Sequence, residues 1–135
     1  MNKIMAEETD NKVTQLRKGI LELAVLAALY QSSHYGYSLV RNLTASGSIE
    51  IREGTIYPIL ARLWREGLVR SQWVESSQGP PRKYYELTHA GRDACESLQA
   101  EFQRLVQLVK GAGKAGMQDD QHAEKKISIR RKENE

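Results

Sequence analysis

Residues 53–69, EGTIYPILARLWREGLV, decide how the rest of the chain is read. Ile56, Ile59, Leu60 and Leu63 recur at i, i+3, i+4 and i+7, the spacing of one buried helical face. Gly67 follows where a helix ends most easily, since glycine takes a left-handed backbone without steric cost. A helix over about 53–66 is expected. Pro58 sits awkwardly in it, because proline lacks an N–H and is tolerated best in a first turn. We therefore place the start of the regular helix nearer Tyr57. With the apolar residues turned inward, Thr55, Tyr57, Pro58 and Arg62 fall near the outer side.

Downstream, residues 68–75 and 82–88 are two strand-like runs. Ser76, Ser77, Gln78, Gly79, Pro80 and Pro81 separate them as a loop, which makes an antiparallel hairpin. Thr88 is a natural N-cap for a final helix over 89–110. In that helix Cys95, Leu98, Phe102, Leu105 and Val109 step by 3, 4, 3 and 4, a heptad-type seam suited to helix association across a dimer. Gly111, Gly113 and Gly116 are expected to end the order, and the charged, apolar-poor stretch 111–135 reads as a disordered tail.

Upstream, residues 1–11 have no apolar period and read as a frayed end. A first helix is expected over about 13–31. Val13, Leu16, Ile20, Leu23, Ala24 and Ala27 recur at helical spacing, and Leu21, Val25, Ala28 and Leu29 widen the apolar surface beyond one stripe. A helix apolar on two sides needs two things to pack against, its own core and a partner subunit, and Leu16 and Ile20 are assigned to the partner. Ser32, Ser33 and His34 form a break. A second helix over about 35–43 turns Leu39, Val40 and Leu43 inward, with Tyr37 read as core. Residues 44–48 read as a turn, and Ile49 and Ile51 flank Glu50 in a short extended alternation.

The expected fold is mainly α. Three helices and a two-stranded wing make a winged helix-turn-helix over 12–88, and an added C-terminal helix over 89–110 serves dimerisation.

The chain has 135 residues, enough for one compact domain, and 40% of them are apolar, so a real core can form. The net charge is only +3, which permits nucleic acid without demanding it. Its distribution says more, because residues 12–110 hold 13 Lys and Arg against 9 Asp and Glu while the first eleven residues are acidic. A single cysteine excludes an internal disulfide, and the polar N-terminus lacks the apolar segment of a signal peptide. The longest apolar run, 20–30, contains Glu22 and is too short to span a bilayer, so a cytoplasmic protein without membrane contact is expected. His34, His89 and His122 lie far apart with no ligand at metal spacing, no glycine-rich phosphate loop is present, and nothing organises a catalytic triad. We therefore expect no cofactor, no metal and no enzyme.

Four segments resemble the PadR-like transcriptional regulators: LRKGILELAVLAAL (16–29), YGYSLV (35–40), EGTIYPILARLWREGLV (53–69) and GPPRKYYELTHAG (79–91). The last two are the specific ones. An aromatic-proline pair within the third helix, followed by Arg-Leu and a closing glycine, is typical of that family, as is a wing ending in Arg-Lys-Tyr-Tyr-x-Leu-Thr-x-x-Gly. The short last helix is similar to that of the family's smaller branch, where it swaps against the partner's first helix. The resemblance implies a repressor that binds a pseudo-palindromic operator in double-stranded DNA as a homodimer and is released by a small aromatic or cationic effector at the dimer centre.

On this reading the third helix enters the major groove. Thr55 and Tyr57 lie at its N-terminal end, where a hydroxyl can meet base edges or phosphates. Tyr57 has a second reading, packing against the wing, and Arg62 a second reading as a solvated cation. On the wing, alternation sends Arg82 and Lys83 to opposite faces, and Lys83 is the preferred DNA contact. Tyr35 is a phosphate candidate. Cys95 reads as a small buried hydrophobe or a thiol switch. Phe102, the only phenylalanine, reads as interface core or as a stacking platform for a flat effector. The competing function is a winged helix that binds protein rather than DNA.

Overall fold

The four apolar positions of the third helix are all buried, Ile56, Leu60 and Leu63 completely. The computed structural model describes residues 3–47 and 49–114 in full and the backbone of 115–133. The elements run α1 (Lys3–Gln31), β1 (His34–Tyr35), α2 (Gly36–Ser46), α3 (Glu53–Arg65), β2 (Val69–Ser76), β3 (Gly79–Leu87) and α4 (His89–Glu133). They form two units, Met1–Leu98 and Gln99–Glu135.

In the first unit one core gathers Val25, Leu26 and Leu29 of α1, Leu39 of α2, the inner face of α3, and Val69, Tyr85 and Leu87 of the sheet. Only the C-terminal half of α1 is buried, since residues 11–20 are all exposed. The helix also begins at Lys3, ten residues before the apolar period does. Propensity rather than burial accounts for that extension, since the segment contains neither proline nor glycine. α2 runs on to Ser46 through residues expected to form a turn, and no strand forms at 49–51.

α3 begins at Glu53, not near Tyr57, and Pro58 lies in its second turn. Proline there removes the bond to the carbonyl of Gly54, and the loss is tolerated this close to the helix start. The helix closes in a Schellman turn. Gly67, at φ +75°, donates to Trp64 O at 3.0 Å and Leu68 donates to Leu63 O at 2.9 Å.

The sheet has three strands in the order β1-β3-β2, all antiparallel, rather than two. β1 is only His34 and Tyr35, paired with Tyr85 and Tyr84, and two residues are too short to leave a periodic signal. The hairpin turn is Ser77-Gln78 alone, and Gly79, Pro80 and Pro81 belong to β3. The prolines are tolerated because β1 flanks only Tyr84 and Tyr85, so this end of β3 has one neighbour.

Thr88 latches the sheet to α4. Its hydroxyl donates to Gly67 O at 2.6 Å and accepts from Gly91 N at 3.0 Å, the N-cap geometry the sequence leads one to expect. Gly91 packs so tightly on the Leu68 carbonyl that a Cβ would overlap it. α4 does not stop at the glycines but continues to Glu133. Glycine costs about 1 kcal/mol per residue in a helix, and the Ala, Gln, Glu and Lys of 114–133 offset that. The ends assigned to fraying and disorder are therefore helical where described, and residues 1, 2, 134 and 135 lie outside the described residues.

Candidate nucleic-acid interface

The outermost line of α3 follows from its buried face. Opposite Ile56, Ile59, Leu60 and Leu63 stand Gly54, Pro58, Ala61 and Arg65, at i, i+4, i+7 and i+11, and all four are exposed. Tyr57 and Trp64 form one flank of this line, Thr55 and Arg62 the other.

The Tyr57 flank faces the wing. Tyr57, Leu60, Ala61, Trp64 and Arg65 border a cleft of about 340 Å³ closed by Lys83 and Tyr85 of β3. The Lys83 ammonium lies 5.9 Å from the Trp73 ring centroid and 5.7 Å from that of Tyr85, so among the described residues it sits over two rings and pairs with no carboxylate. Burial, and secondarily the nearby Tyr57 phenol, push the Tyr85 hydroxyl above its usual value. It stays neutral at physiological pH. Tyr57 itself is 45% exposed and rests on Gly36 at the start of α2. It reaches the wing cleft, as the packing reading expects, and keeps nearly half its surface for solvent.

The other flank faces α1. Thr55 and Pro58, with Thr14, Arg17, Lys18 and Leu21 of α1, line a hollow of about 400 Å³. Arg62 turns toward α1, and its guanidinium pairs with Glu22 at 3.4 Å. The cation at the outward C-terminal end of the helix is Arg65. The sequence expectation rests on the N-terminal turn and does not include it, although the step from Gly54 continued by three helical turns reaches it.

The two wing cations point to opposite faces, as strand alternation demands. Arg82 leaves the α3 side and lies 4.5 Å over the Tyr35 ring, which in turn packs on Tyr84 at 5.4 Å. Tyr37 is not core. It is 52% exposed, because α2 turns Gly36 and Leu39 inward and leaves Tyr37 on the outer side.

Of the expected dimer residues, Leu16 is 72% exposed and Ile20 and Leu98 are partly exposed. Cys95 is a correction: it is completely buried in the core of this chain and has no surface for a seam. Burial, then the nearby Glu96 carboxylate, raise its thiol above the usual value, which disfavours the reactive thiolate. In the second unit Phe102 is half-buried, whereas Leu105 and Val109 are exposed. Among the described residues, no grouping of His, Cys, Asp and Glu could hold a metal ion, and no helix is long and apolar enough to cross a membrane.

Three helices around a small antiparallel sheet, with an exposed third helix beside a cationic wing, define a winged-helix protein. The sequence profile of the Transcriptional regulator PadR-like family matches residues 25–97, and the chain belongs to that family. Solved structures agree. A PadR-like transcription factor from Bacteroides fragilis is 38% identical, with 74% of this chain and 96% of that one covered at a TM-score of 0.64. A PadR family transcriptional regulator from Eggerthella lenta is 32% identical over 80% and 94% of the two chains, with a TM-score of 0.69. A PadR-like regulator from Bacillus cereus is 35% identical over 72% and 94%, with a TM-score of 0.65. The protein is a DNA-binding transcriptional regulator of this class.

Proposed function

We propose that this chain is a sequence-specific repressor that binds a pseudo-palindromic operator as a homodimer and acts in the cytoplasm. The observation that carries the DNA-contact assignment is the cleft where Tyr57 and Arg65 of α3 meet Lys83 of the wing, a cationic and aromatic edge with no carboxylate among its lining residues. α3 enters the major groove. Thr55 and Tyr57 read base edges, Pro58 and Ala61 allow close approach, and Arg65 and Lys83 neutralise phosphates. Arg62 serves mainly to fix α3 on α1. Two such helices in a dimer engage successive grooves about 34–36 Å apart.

The exposed apolar side chains Leu16 and Ile20 on α1, and Leu105 and Val109 on α4, support dimerisation. Phe102 is the residue best suited to stack a flat aromatic or cationic effector at the dimer centre.

A salt titration tests this reading, comparing duplex DNA from upstream of the protein's own gene with random duplex. Tighter binding to the upstream fragment, falling steeply with salt, supports the repressor. Absence of binding to either duplex at low salt overturns it in favour of a protein-binding winged helix.

A further inference from the structure

Tyr37 and Arg41 have no part in the interface described so far. They lie four residues apart on α2 and so share one exposed face. The Arg41 guanidinium sits 5.8 Å from the Tyr37 ring centroid, and that ring lies 6.4 Å from Tyr35. Tyr35 carries the Arg82 guanidinium at 4.5 Å. A continuous ladder, Arg41–Tyr37–Tyr35–Arg82, thus runs from α2 to the wing.

Its charges are uncommitted. Arg52, Arg62, Arg70 and Arg104 each pair with a carboxylate, but among the described residues neither Arg41 nor Arg82 does. A guanidinium held against an aromatic ring is fixed in orientation while its N–H donors remain free at the edge. That geometry suits two phosphate oxygens at once. Stacked bases of a single strand fit less well, because the half-buried Tyr35 ring already carries Arg82 and Tyr84. The ladder also starts beside α3, since Tyr57 rests on Gly36, the residue between Tyr35 and Tyr37.

We propose that Arg41, Tyr37, Tyr35 and Arg82 form a clamp for the phosphate backbone of duplex DNA, next to the groove that α3 enters. Arg41 and Arg82 contact phosphates, and Tyr37 and Tyr35 are positioning residues that hold them. The clamp rests on the DNA-binding reading above.

The test is a salt titration of full-length wild type, Arg41→Gln, Arg82→Gln and the double variant, each on upstream and random duplex. Both side chains are exposed, and thermal melts confirm that the variants fold. Each substitution is expected to weaken binding to both duplexes equally and to lower the salt slope by about 1.8, since a homodimer loses two phosphate contacts at about 0.9 each. Arg41→Lys is expected to restore the slope, because it restores the charge. Tyr37→Ala should weaken binding with a smaller change of slope than Arg41→Gln. A double variant with the wild-type slope overturns the clamp while leaving the repressor intact, and so does a loss confined to the upstream duplex. A wild type that binds neither duplex overturns the DNA-binding reading itself.

Discussion

The phenol of Tyr57 lies over Gly36 so closely that a Cβ at position 36 would overlap its ring and hydroxyl. This contact joins the groove-facing helix α3 to the first turn of α2. Gly36→Ala is therefore expected to push Tyr57 outward and to cost about 1–3 kcal/mol, the usual penalty for an added methyl in a packed site. Denaturant melts measure the cost. Operator affinity should fall too, although no DNA-contacting group has been removed. Adding Tyr57→Ala should recover the stability but not the affinity. If Gly36→Ala is as stable as the parent, the ring does not rest where the contact places it.

Gly91 faces a harder obstacle, because its neighbour is the backbone carbonyl of Leu68 instead of a movable side chain. Gly91→Ala should cost more than Gly36→Ala, roughly 3 kcal/mol or beyond. Thr88→Val keeps the shape and removes both hydroxyl bonds, so a loss of about 1–2 kcal/mol is expected. Thermal melts of the two variants rank them, and a reversed order would mean that the latch depends on the hydroxyl more than on the close approach.

Cys95 is sealed in the core, and burial pushes its thiol up. A thiol reagent at mildly alkaline pH should therefore label the folded protein slowly and the urea-unfolded protein within the mixing time. Fast labelling of the folded chain would revive the thiol-switch reading.

On the homodimer proposed above, the apolar period of α4 marks where the second copy docks. Phe102→Asp places a charge in that seam, so sedimentation should shift from dimer to monomer. An intact dimer would move the interface elsewhere.

How much of this was legible depended on the length of each signal. α3 announced itself, since Ile56, Ile59, Leu60, Leu63 and Gly67 all agree, and so did the cap at Thr88. β1 did not, because two residues carry no period and its pairing is decided by Tyr84 and Tyr85 fifty residues away. A heptad spacing cannot tell a partner's core from the chain's own, and Cys95, on the apolar period of α4, belongs to the chain's own. Arg41 and Tyr37 were invisible as a pair with Arg82 until the sheet brought α2 against the wing.

His34 supplies a pH dependence whose sign can be worked out. Ser38 donates its hydroxyl proton to Tyr35 O at 3.0 Å, so the histidine Nδ1, 3.1 Å from Ser38 Oγ, must be the donor to Ser38. Nε2, 3.3 Å from Ser32 Oγ, is then the acceptor, and the neutral ring has a partner at both nitrogens. Burial lowers the pKa below its usual 6.5. Between that lowered value and 6.5 the unfolded chain binds more protons than the folded one, so stability rises with pH in this window. The contribution is present above about pH 6.5 and is lost as pH falls through the folded value. Melts of wild type and His34→Gln at pH 7.5 and pH 5.5 test it. The wild type should lose more stability than His34→Gln at the lower pH, so the gap between them narrows. A gap that stays constant would show that His34 titrates alike in the folded and unfolded chains.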